Sequence, residues 1–354
     1  MTLDTALGAS RNSLNAWRLL MAALVIVAHS WWLTGLGPGP AIGGGQLGSW
    51  SVVGFFAISG YLITLSRIRA RNGAAFFRGR FFRIMPGLAV CLIVTAFVFA
   101  PLATLFNNRK YSVGDAADFV LRNISIVGTQ LGRTPIGSTL SDVPGADEWN
   151  SPLWTLFWEV TCYLLVGVLA YLKPELFRAA MVVVFAVVTG ALLLQVAAYG
   201  PTAGSWGTVL CPVGTFVAGS LLCLFRTSIF LRASAVACAL SLLAVSFLAG
   251  NMLAFCPLPI AYIILGLGSS PVLHRIGARF DVSYGMYIYG WPVQQILVIG
   301  GVGAATPLAV FAVLSLAVTV PLAWLSCVFI ESPAQGFGRR VGSKDRFNVQ
   351  LRTS

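Results

Sequence analysis

Stretches of about 20 consecutive apolar residues recur along this chain, and no other feature restricts its fold so severely. A run of that length is what one helix needs to cross about 30 Å of hydrocarbon, where a backbone must satisfy its own hydrogen bonds. About ten such stretches are expected, near residues 17–36, 50–66, 84–106, 151–172, 179–199, 206–225, 231–250, 253–269, 283–300 and 308–330. With 57% hydrophobic and only 10% charged residues, the 354-residue chain leaves no stretch for a separate aqueous domain. The expected fold is all-α, a polytopic transmembrane helical bundle. Residues 1–335 form its membrane-embedded domain, with an outer loop over 107–150, and a basic tail occupies 336–354. The N-terminus enters the first span without a small-residue cleavage site, so a removed signal peptide is not expected.

A net charge of +12 would suggest nucleic acid in a soluble protein, but here its distribution has another cause. If both termini are cytoplasmic, 19 of the 23 basic residues fall on inner segments, and only Arg109, Lys110, Arg122 and Arg133 lie outside. That asymmetry is the positive-inside pattern and supports an even number of spans. The partners expected on this ground are a lipid bilayer, with the tail against anionic headgroups, and no nucleic acid.

The first span, LNAWRLLMAALVIVAHSWW, carries two ionisable groups. Arg18 and His29 are eleven residues apart, three turns plus about 20°, so they leave one helix face about 16 Å apart along the axis. Ionisable groups within a bilayer tend to face a bundle interior or each other, which reads as one wall of a polar pathway. Arg18 alone is equally well read as a snorkelling anchor. His29 is expected to be too deep for that. His274 is the one other histidine.

In the fourth span Glu159 is expected about 10 Å below the outer boundary, at the depth of His29 and of Ser59, with His29 as the natural partner of its carboxylate. Beside Gly60, Ser59 reads more readily as a small packing residue than as a nucleophile. The inner segment SRIRARNGAAFFRGRFFRIMPG holds six arginines, and Arg80 and Arg83 crowd the mouth of the third span. Guanidinium forks there suit either anchoring or phosphate. The outer segment ends in DVPGADEWNSP, where Asp142, Asp147, Glu148 and Trp149 suit a hydroxyl-rich ligand or a solvated loop. Tyr284, Tyr287, Tyr289 and Trp291 open the ninth span as an interfacial belt or a pocket wall. Glu331 marks the inner end of the last span. The glycine-rich first outer loop reads as a linker. Of seven cysteines, most read as packing, with Cys211 and Cys256 near the outer face as a conceivable disulfide. There is no phosphate-binding loop, no GxSxG and no metal-ligand spacing, so no metal is expected.

Taken in order, the Arg18 to His29 spacing, VGFFAISGYLI around Ser59, FFRGRFFRIMPG, NSPLWTLFWE ending at Glu159, SYGMYIYGWP and the closing IESP resemble the acyltransferase-3 family of integral membrane O-acyltransferases. The chain departs from the family's pattern at Asn15, where LDxxR is common. It departs again at Gly290, where many members have a histidine before Trp-Pro, which leaves no two-histidine mechanism. No esterase-like domain is appended, so the membrane domain should complete the transfer or hand on to a separate protein.

The resemblance implies a bacterial cytoplasmic membrane enzyme that moves an acyl group, most often acetyl, from cytoplasmic acyl-CoA to a hydroxyl of a cell-envelope or exported glycan, alongside envelope-glycan assembly proteins. The donor-binding candidates are Arg80, Arg83, Tyr284 and Ser59, and Arg18 is a catalytic candidate that would help Arg80 and Arg83 hold the donor's phosphates. His29 would be the general base and Glu159 would orient its ring. The same polar stripe would serve a transporter or flippase of a polar metabolite or glycan, or a catalytically inactive scaffold.

Overall fold

A computed structural model describes residues 1–8, 11–131, 134–144, 148–200 and 205–350, the last nine of them and 205–206 as backbone alone. Eleven helices carry the argument: α1 (Leu14–Leu33), α2 (Leu47–Arg69), α3 (Gly73–Asn107), α4 (Val113–Ile124), α5 (Trp154–Leu169), α6 (Pro174–Tyr199), α7 (Ser205–Leu224), α8 (Ala233–Leu248), α9 (Pro257–Gly268), α10 (Ser283–Ile299) and α11, which starts at Leu308 and continues to Gln350. Every one of the ten expected stretches falls on a helix. Among the described residues, seven helices are long and apolar enough to cross a membrane. The protein is a helical, multi-pass membrane protein with almost no sheet.

Several helices outrun the apolar stretch that announced them. α3 has 35 residues and is about 52 Å long at 1.5 Å per residue, against about 30 Å of hydrocarbon. It begins at Gly73 because Asn72 caps it, its side chain accepting a 2.8 Å hydrogen bond from the Ala75 N–H. The arginines of 78–83 therefore ride on a helix and not on a loop. α11 likewise runs past Glu331, so the basic tail expected from 336 begins inside a helix. Both contain a π-helical turn, Thr95–Phe99 in α3 and Cys327–Glu331 in α11.

The chain forms two compact units. The first comprises Met1–Trp32, Leu36–Arg69 and Thr155–Ser283, and the second Leu33–Gly35, Ala70–Trp154 and Tyr284–Ser354. In the first, α2 and α7 touch backbone to backbone. A methyl on Gly60 would meet the Phe216 carbonyl oxygen at 2.0 Å, and one on Gly219 the Ala57 oxygen at 2.2 Å. Ser220 Oγ adds a 3.2 Å hydrogen bond to the Gly60 carbonyl. Small residues buy this approach where hydrocarbon outside the helices removes the usual hydrophobic drive. Around the contact pack Ala57, Ile58, Tyr61, Ala218, Leu222 and Leu265, all buried.

The glycine-rich stretch between α1 and α2, expected as a linker, is folded. Ala41–Ile42 pairs with Gly45–Gln46, and the Trp50 indole N–H donates to the carbonyls of Ile42 (3.0 Å) and Gly45 (3.1 Å). Gly39, at φ +72°, lets the loop lie on Trp31, whose Cγ would stand 3.0 Å from any Cβ there. Cys211 and Cys256 bring their sulfurs within 3.4 Å as free, buried thiols.

In the second unit, α10 grips the end of the segment between α4 and α5. Tyr287, Trp291 and Gln295 lie four residues apart on one helix face. They donate to the main-chain oxygens of Pro152 (2.9 Å), Glu148 (2.8 Å) and Glu148 again (3.2 Å). Asn150 answers with a 2.8 Å bond to the Ile288 carbonyl. Trp149 is fully buried with its indole N–H on Thr139 Oγ1 at 2.9 Å, and so holds the segment together. Asp142 accepts both forks of Arg109 at 2.5 Å, and the guanidinium holds its carboxyl below the usual carboxylate range. Asp147 and Arg133 lie outside the described residues.

Candidate functional site

The expected site residues divide between the units: Arg18, His29, Ser59 and Glu159 in the first, Arg80, Arg83 and Tyr284 in the second.

In the first unit, α1 and α2 run antiparallel. A methyl on Gly48 would stand 3.3 Å from the Ala28 methyl, and one on Gly54 2.8 Å from Met21 Sδ. Extending that register puts Ser59 level with Ala16 and Trp17, within a turn of Arg18. His29 falls level with the first turn of α2, about 18 Å further along the axis. The expected common depth of His29, Ser59 and Glu159 is therefore wrong. The reason lies in the helix ends: α1 stops at Leu33 and α2 starts at Leu47, each about three residues before the expected boundary. His29 stands one turn from the end of its helix, half-buried, with Nδ1 shut away from solvent.

Glu159 has other partners than His29. Its Oε1 accepts from Ser59 Oγ at 3.4 Å and from Tyr163 OH at 2.5 Å. Tyr163 is one turn along the same helix face, and its ring tilts against Phe216 of α7 at 6.4 Å. Arg67 donates to the Gly167 carbonyl at 3.3 Å, so α2 and α5 run side by side with 59 against 159 and 67 against 167. The carboxylate thus ties α2 to α5.

Arg18 forms an ion pair with Asp281, a residue that the sequence reading did not single out. The other oxygen of Asp281 accepts from Ser283 Oγ at 2.5 Å and from its N–H at 3.3 Å, which fixes the carboxylate at the start of α10. Asn15 donates to the Gly277 carbonyl at 3.1 Å, and Ser13 Oγ to that of Ser270 at 2.5 Å. The first turns of α1 are stitched to residues 268–283, and Arg18 is one of the stitches.

In the second unit, Arg83 Nη1 lies 3.5 Å from Glu331 Oε2, and its guanidinium sits 5.8 Å over the Tyr284 ring. Glu331 is buried, placed by the π-helical turn, and its second oxygen accepts from Ser326 Oγ at 3.1 Å. Beyond marking the end of a span, it is an internal counter-charge. The Tyr284 hydroxyl donates to the Ile84 carbonyl at 2.8 Å, while its ring faces the Arg83 guanidinium. Arg80 is part-buried one turn away on α3. Residues 67–83 hold six arginines and no acidic residue. That excess of guanidinium over carboxylate suits phosphate and other anionic groups.

Comparison with known proteins bears on this arrangement. Residues 11–328 match the model of the acyltransferase-3 family, described as an acyltransferase domain. An "O-acetyl transferase" of Shigella phage Sf6 is 30% identical over 295 residues, covering 81% of this chain and 86% of the phage protein. "Nodulation protein 10" of Rhizobium leguminosarum bv. viciae is 29% identical over 365 residues, covering 92% of this chain and 93% of its own. No solved structure matches.

Proposed function

Starting from a chain that belongs to the acyltransferase-3 family and is an O-acyltransferase, we propose that it moves an acyl group, acetyl in the simplest case, from acyl-CoA to a hydroxyl of an envelope or exported glycan, with His29 as general base. The observation that carries the role of His29 is its position. It is the histidine within a span, one turn from the end of α1, whereas His274 sits in the loop after α9 with Nδ1 on the Pro271 carbonyl at 2.6 Å. Ten spans with both termini in the cytoplasm of a bacterium place that end of α1 at the outer face, where an exported acceptor arrives.

Bound acyl-CoA supplies the activated acyl thioester. The residues suited to its phosphates are Arg80 and Arg83, guanidinium groups in a segment without acidic residues, the second already oriented by Glu331 and Tyr284. His29 accepts the proton of the acceptor hydroxyl as the new ester bond forms, and returns it to the departing coenzyme A sulfur. Glu159 does not touch the imidazole, and its role is positional: it holds α5 against α2 through Ser59.

The test is acetyl-CoA consumption by purified wild type and His29→Ala against host glycans, after equal folding is shown by thermal unfolding. A general base contributes about 10²- to 10⁴-fold, so the variant should lose that much acceptor-dependent coenzyme A release. Equal turnover by both would make His29 structural.

A further inference from the structure

In the first unit, α7 and the start of α9 meet at two sulfurs. Cys211 Sγ lies 3.4 Å from Cys256 Sγ, across 45 residues of sequence. Both cysteines stand on fixed backbone. The Cys211 carbonyl accepts from Thr215 Oγ1 at 2.8 Å within α7, and the Cys256 N–H closes the short helix Met252–Phe255 on the Met252 carbonyl, also at 2.8 Å. Pro257 then starts α9. Val53, Val188, Leu192, Leu253 and Ala254 pack around the pair, which is 2% and 0% exposed.

As packing alone, two thiols do no more than two small apolar side chains, since an S–H is a weak donor. What the pair adds is the bond it can form. The sulfurs are already in contact, so a small rotation of each side chain brings them to bonding distance. The Leu253 carbonyl competes for Cys256 Sγ only from 3.7 Å.

We infer that Cys211 and Cys256 are a modification site, at which the chain takes an intramolecular disulfide. The oxidant is a disulfide-carrying oxidoreductase on the outer side of the membrane. One cysteine thiolate attacks that disulfide, which forms a mixed disulfide and releases one thiol; the second cysteine attacks the mixed disulfide and releases the other. The cysteines lose two electrons and two protons, and both end on the two departing sulfurs. Packing shuts the pair from solvent, so the exchange takes place on the inserting chain, before α7 and α9 close. The bond bears on the end of α1 that carries His29. The hairpin at 41–46 rests on the same short helix, since a Cβ on Gly43 would meet Met252 Sδ at 2.2 Å, and Gly39 lies on Trp31, two residues from His29. The side on which the oxidant waits rests on the orientation proposed above. The meeting of the sulfurs does not.

The experiment uses full-length protein in cells quenched with acid, denatured and labelled at free thiols with a maleimide polymer. The expected result is two fewer labels before reduction than the seven after it, with a linked peptide pair containing Cys211 and Cys256 in mass spectra. Cys211→Ala and Cys256→Ala should each label alike before and after reduction. For the purified protein, a phosphine reductant should lower the unfolding temperature of wild type and leave that of the Cys211→Ala/Cys256→Ala double variant in place, because the bond constrains the unfolded chain. Seven labels before reduction, both in cells and after a small-molecule disulfide is added to the purified protein, overturn the assignment. A linked peptide between other cysteines, or an equal response of the two proteins to the reductant, does so too. Seven labels in cells, with two lost once the small-molecule disulfide is added, would keep the pair and sink the orientation that gives it an oxidant.

Discussion

Arg18 illustrates how far a single residue can be read without its partner. Position alone left it divided between anchor and site, and the partner that decides, Asp281, is 263 residues away in sequence. The structure makes the pair a fastening of α1, and a double-mutant cycle tests that role. Arg18→Gln and Asp281→Asn should each lower thermal stability, the double variant should be little worse than either, and the coupling should be about 0.5–3 kcal/mol. The KM for acetyl-CoA should stay unchanged throughout. A raised KM in Arg18→Gln alone would return the residue to the donor path. Glu159 teaches the same lesson: its membership in a polar cluster was legible, but the choice of Ser59 and Tyr163 over His29 depended on a register that shifted with helix ends.

At the scale of elements, the apolar runs showed where helices lie but not how far they extend. Hydropathy falls at Arg78–Arg83 and after Glu331, yet the backbone continues, capped by Asn72 at one end and passing through a π-helical turn at the other. A period count cannot see either device. Close approach was easier to suspect, since two small residues, Ser59 and Gly60, stand side by side in an apolar stretch. Its reciprocal contact with Gly219 yields an expectation of its own. Gly60→Ala should push α2 off α7 and destabilise by about 1–3 kcal/mol, seen as earlier thermal unfolding. Gly79→Ala, on α3 with open space at its Cβ position, should leave unfolding unchanged. Equal behaviour of the two would mean that the helices do not touch there.

For the whole molecule, composition and charge sufficed for a multi-pass helical protein, because hydrocarbon leaves a backbone few choices. The division into two units, with His29 in one and Arg83 in the other, was not legible, since it follows from contacts hundreds of residues apart. The proposed orientation is open to direct test. In a cysteine-free variant, a single cysteine at Ser112 should react with a membrane-impermeant maleimide added to intact cells, and one at Ala70 should react only after lysis. The opposite pattern would invert the topology and remove His29 from the outer face. The grip of α10 on the segment around 148–152 has a bearing on how such an enzyme diversifies. Tyr287, Trp291 and Gln295 hold main-chain oxygens, which every amino acid supplies. Ser151 takes part in none of those three bonds, so mutation can rewrite its side chain while the backbone stays docked. A lineage can thereby trial new partners at that position without first risking its fold.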